Sequence, residues 1–119
     1  MSKSTDIIVE LRRAPGVKGA AVVTGDGLVA SASLATGLDA EVVAGLASYL
    51  MMATNRSLAE GGLPAAKKLV LNATHGKAAF VRLDDSYLVV LFDQFAEVSQ
   101  ADREVDHAAT RIRRASRLA

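Results

Sequence analysis

Tyr87-Leu88-Val89-Val90-Leu91-Phe92 is apolar at every position. A strand with one wet face alternates, so an unbroken apolar run of six demands cover on both faces and a central place in a sheet. Ala20-Ala21-Val22-Val23 is nearly as apolar and makes its natural neighbour. Around these two strands the rest of the chain falls into order. Gly25-Asp26-Gly27 is a hairpin turn from the strand Gly19–Thr24 to a return strand, Leu28–Ser33. His75-Gly76 and Asp84-Asp85-Ser86 are turns too short for anything but antiparallel connections. They join strands at Lys67–Thr74, Lys77–Leu83 and Tyr87–Phe92. Pairing the two apolar strands gives the sheet order 2-1-5-4-3, counted along the chain, with the more polar strands at the edges.

Three helices complete an α+β chain of order αββαβββα. Ile7, Ile8 and Leu11 give the first helix one apolar stripe, with Ser4 or Thr5 as its cap and Pro15-Gly16 as its stop beyond Ala14. Asp39 caps a second helix, Ala40–Glu60, which Gly61-Gly62 and Pro64 end. Ser99 caps a third that reaches Leu118, with acids at its start and Arg111, Arg113, Arg114 and Arg117 at its end, as the helix dipole favours. The central strands require helices on both faces of the sheet. The whole of 1–119 reads as one domain, with its core built from Ala, Val and Leu, since only five residues (two Tyr, three Phe) are aromatic.

Composition narrows the function. The formal net charge is +1, which gives no general affinity for nucleic acid or an anionic membrane. Cysteine is absent, so thiol catalysis, disulfides and cysteine-held metal are excluded. Met1 to Asp6 lacks the build of a signal peptide, and no apolar run approaches the about 20 residues of a membrane span. The expected location is the cytoplasm. Gly25-Asp26-Gly27 lies between strands, not before a helix, and so reads as a turn and not a phosphate loop. Asp84 and Asp85 read as solvated turn residues, His75 and His107 as surface histidines without a ligand-spaced partner. The four C-terminal arginines read as a solvated face. No catalytic, metal or cofactor residue is assigned, and the chain is not expected to be an enzyme.

The second helix stands apart. Val42, Val43, Ala44, Leu46, Ala47, Leu50, Met51, Ala53 and Leu58 span roughly 200° of its wheel. One contact with a sheet needs little more than about 100°. A second copy of the chain would cover the surplus. The bulky Val42, Val43, Leu46 and Leu50 suit the sheet. The smaller Ala44 and Ala47, with Met51 and Leu58, suit a close helix contact with a second chain. Leu69, Leu71 and Ala73 alternate on the free-edge strand and join that interface. Tyr49, Met52, Asn55 and Arg56 are left to face a further partner.

Pro15-Gly16-Val17-Lys18-Gly19-Ala20 after an amphipathic helix, Gly25-Asp26-Gly27-Leu28, the long Ala-rich helix and Asp85-Ser86-Tyr87-Leu88-Val89-Val90-Leu91 follow one another in a telling order. That order resembles the Roadblock family, dynein light chain relatives that include bacterial regulators of Ras-like GTPases. The resemblance implies a Roadblock/profilin-like fold and a dimer, with itself or a related chain, through the second helix and third strand. It further implies a non-catalytic regulator or adaptor of a small Ras-like GTPase. The alternative is a structural subunit of a signalling or motor complex with no GTPase contact.

Overall fold

The computed structural model describes residues 3–118. Met1 and Ser2, which belong to the stretch read against a signal peptide, and Ala119 lie outside the described residues. The elements are α1 (Lys3–Leu11), β1 (Val17–Thr24), β2 (Val29–Leu34), α2 (Ala40–Glu60), β3 (Lys68–Ala73), β4 (Gly76–Arg82), β5 (Ser86–Phe92), a 3-10 turn (Val98–Ala101) and α3 (Asp102–Leu118). All strand pairs are antiparallel, in the order β2-β1-β5-β4-β3. The expected topology is the observed one. Leu88, Val89 and Val90 of the all-apolar run are fully buried on the central strand, which is what its composition demands.

Alternation splits the core in two. Ala20, Val22, Ala79, Val81, Leu88 and Val90 face one side, where α1 and α3 cover them with Ile8, Val105 and Ile112. Ala21, Val23, Ala78, Phe80 and Val89 face the other, where α2 lies. α2 packs against β1, β2 and β5, toward one end of the sheet.

Two caps differ from expectation. α1 already begins at Lys3, so Ser4 and Thr5 lie inside it. It also ends earlier than Ala14, at Leu11, because the Arg13 and Ala14 amides bond back three residues, to Glu10 and Leu11, and tighten the chain before Pro15. Ser99 sits within the 3-10 turn, and it is its main-chain carbonyl that accepts from the Asp102 amide. Asp39 caps α2 as expected, its Oδ1 accepting from the Glu41 and Val42 amides at 2.9 and 3.3 Å. Gly62 supplies the positive φ, +75°, that ends α2.

The C-terminal arginines lie at the surface as expected, and three of them also clasp the fold. Arg111 reaches Glu10 of α1 at 2.8 Å, Arg113 donates to the Arg82 carbonyl, and Arg117 meets both Asp84 carboxylate oxygens at 3.1 Å. Asp84 is thus an ion-pair partner and more than a solvated turn residue. The guanidiniums of Arg111 and Arg117 hold the Glu10 and Asp84 carboxyls below their ordinary range, mainly through the hydrogen bonds they donate. A carboxyl whose folded pKa is lowered contributes stability above its unfolded value, about 3.9 for Asp and 4.3 for Glu, and loses it as the pH falls through the folded value. The double variant Arg111→Gln, Arg117→Gln is therefore expected to melt lower than the original at pH 7 in low salt. The gap should close below the carboxylate range and shrink in high salt, since both pairs are exposed. Thermal melts across pH check this; a gap that persists in acid would assign the loss to packing.

Candidate functional site: the outer face of the second helix and the free sheet edge

α2 has two apolar faces, and Ala44, Ala47 and Met51 on one and Val42 and Leu46 on the other point opposite to the directions expected. Ala44, Ala47 and Met51 are wholly buried against Ala21, Val23, Phe80 and Val89. They belong to the monomer core and are unavailable to a second chain. The reason is volume. The strand beneath α2 presents Ala21 and Val23, and small helix residues let the helix axis come close to the sheet; Met51 reaches down to fill the space beside Phe80. Val42 and Leu46, assigned inward by bulk, point out with 66% and 53% exposure. Val43 and Leu50 are half-buried at the margin of the core, as assigned.

The outer stripe runs Val42, Leu46, Tyr49, with Met52 beside it. Tyr49 is 62% and Met52 54% exposed, so both side chains face solvent. Arg56 continues the stripe and is exposed. Asn55 is different: it is half-buried, and its side-chain oxygen accepts the Ala66 amide at 2.8 Å, which ties down the segment after α2. Leu58 is half-buried as well. Gly45 opens the same outer face, with nothing near where its Cβ would be.

Beside the stripe lies the part of the sheet that α2 leaves open. A groove of about 310 Å³ separates Leu38, Val43 and Leu46 on the helix side from Leu71, Ala73 and Phe80 on the sheet. Lys18, His75 and Lys77 also line it. Leu71 is 39% exposed, Ala73 is exposed and Leu69 is half-buried, so the alternation expected of β3 does lead to this side. Val70, on the opposite face of β3, is 43% exposed. The sequence reading misses it, though its place on an edge strand is the signal.

Helix stripe, groove and strand edge form one apolar surface on a framework of known type. A model of the Roadblock/LC7 domain matches residues 3–92. The chain belongs to the Roadblock/LC7 family. Protein MJ0714 of Methanocaldococcus jannaschii is 35% identical over 107 residues, which cover 90% of this chain and 91% of that protein. Among solved structures, Myxococcus xanthus MglB superposes with a TM-score of 0.91 at 14% identity, covering 100% of this chain and 98% of that one. A Roadblock/LC7 domain from Streptomyces avermitilis gives a TM-score of 0.81 at 23% identity, over 92% and 93% of the two chains. These superpositions show the Roadblock fold. Around its surface, no three His, Asp or Glu among the described residues are grouped to hold a metal ion. No helix among them is long and apolar enough to cross a membrane.

Proposed function

We propose that this Roadblock/LC7 domain is a dimeric, non-catalytic regulator or adaptor of a small Ras-like GTPase in the cytoplasm. The observation that carries the reading is the outer apolar stripe of α2 beside the open part of the sheet. Val42, Leu46 and Tyr49 are large side chains on one helix face, and singly scattered exposed apolar residues do not line up in that way. A second copy lays its own α2 over the groove, and the two β3 strands pair edge to edge.

The hydrogen-bond phase of β3 supports such pairing. The Lys67 carbonyl accepts from the Arg82 amide, so alternation turns the amides and carbonyls of Lys68, Val70 and Asn72 to the free edge. Antiparallel pairing about Val70 sets Lys68 of one copy opposite Asn72 of the other and avoids facing like charges. Leu69 and Leu71 then meet on the α2 side.

Met52 and Arg56, toward the C-terminal end of the α2 stripe, are the groups proposed to meet the GTPase, and Tyr49 adjoins them. The domain acts by ordering the switch loops of a GTPase that keeps its own hydrolytic groups. Arg56→Ala is expected to weaken binding more than it slows hydrolysis in the saturated complex. Titration calorimetry and single-turnover GTP hydrolysis, on a GTPase co-purified from native lysate, separate the two. A collapse of hydrolysis at unchanged affinity would make Arg56 an arginine finger, a contribution on the order of 10³-fold or more, and overturn the ordering mechanism.

A further inference from the structure

The opposite edge of the sheet carries a second site. β2 reads Val29-Ala30-Ser31-Ala32-Ser33-Leu34, with no charge and no proline. Edge strands are ordinarily guarded by such residues against pairing with other chains. The one irregularity is a bulge, where the β1–β2 register slips between Val22 and Val23. The Ala35 amide bonds to the Lys18 carbonyl, so Ser31 and Ser33 direct their main-chain groups toward β1. Ala32 and Leu34 direct theirs outward.

One side chain on this strand is left without a partner. Ser31 lies opposite Val22 and so on the α1 side of the sheet, and its hydroxyl oxygen is buried with no hydrogen bond. Buried hydroxyls are normally satisfied. Ser33, two residues on, shares that face and accepts from the Arg12 guanidinium at 3.4 Å.

We propose that β2 pairs antiparallel with β2 of a second copy, centred on Ala32. That register brings Ala32 opposite Ala32 in a hydrogen-bonded pair. It also sets Ser31 of each copy opposite Ser33 of the other in a close, non-hydrogen-bonded pair, where hydroxyls bond across strands. The Ser31 hydroxyl has no accessible surface in the monomer, and a turn about χ1 to another staggered rotamer is what carries it out to the second copy's Ser33. On the α2 face the register sets each Leu34 opposite a small Ala30, so large meets small. This edge is distinct from the α2–β3 surface, so a chain that uses both assembles beyond a dimer.

The test separates the two edges. In a Leu46→Lys background, intended to remove the α2–β3 contact, Ala32→Cys should oxidise to a covalent dimer, since paired Cα atoms about 5.5 Å apart suit a disulfide. The chain has no other cysteine. Ser33→Cys serves as the register control. In the same background, Ala32→Pro removes only an outward amide and should keep the native circular dichroism while weakening association about tenfold or more. A folded Ala32→Cys chain that stays monomeric under oxidant at hundreds of micromolar would overturn the proposal. So would preferential cross-linking of Ser33→Cys, or a folded Ala32→Pro chain that associates as before.

Discussion

Met51→Glu is expected to leave the chain unfolded at room temperature. The Met51 side chain is wholly buried between α2 and the sheet, and the buried residues of its cluster are all Ala, Val, Phe or Met. No buried polar or charged residue lies among the described residues to receive a carboxylate. An unpaired buried charge costs about 3–5 kcal/mol, and the lost packing of the thioether adds to it. The stability of a domain this size is about 5–15 kcal/mol in total. The neighbouring Met52 supplies the control. It is 54% exposed, and Met52→Glu should keep monomer stability within about ±0.5 kcal/mol. Far-ultraviolet circular dichroism and urea titration distinguish the pair. A Met51→Glu chain with the original unfolding midpoint would mean that α2 is rotated from the orientation described.

That pair also shows where a sequence is readable and where it is not. The continuous apolar run at β5 and the near-continuous one at β1 require central strands, and short turns require antiparallel neighbours. From those two facts the order β2-β1-β5-β4-β3 follows. Asp39 and Gly62 are legible because caps and positive φ are local chemistry. The rotation of α2 is not. Apolar residues cover most of the helix, so periodicity shows that two faces seek cover without saying which meets the sheet. Bulk alone sends Val42 and Leu46 to the sheet, whereas the strand below offers Ala21 and Val23 and admits a close helix with Ala44 and Ala47 in contact. The roles of Arg111 and Arg117 are hidden for another reason. Their partners, Glu10 and Asp84, are 101 and 33 residues away, and only the fold brings them together.

Leu46→Lys is expected to abolish association through the α2–β3 surface while leaving the monomer folded. The comparison is made in the Ala32→Pro background, which leaves this surface as the one under test. Leu46 is 53% exposed, forms part of the groove wall, and stands between Val42 and Tyr49 on the outer stripe. In the monomer a lysine there keeps its ammonium in water and lays its aliphatic stem on the stripe, so the melting point should barely move. In the proposed dimer the same position is closed off by a second α2, and Lys18 and Lys77 already line the groove. The added cation finds no carboxylate among the groove's lining residues. Leaving it unpaired costs several kcal/mol, which raises Kd on the order of a hundredfold or more. Leu46→Met, which keeps the apolar volume, should associate as tightly as leucine does. Sedimentation velocity over a concentration series, with a thermal melt of each variant, reads both quantities. Ala47→Glu, one position along, should instead lose its fold, because Ala47 has no exposed surface. A folded Ala32→Pro chain that is monomeric at high concentration with Leu46 in place, or one that dimerises as tightly after Leu46→Lys, would remove the outer face of α2 from the interface.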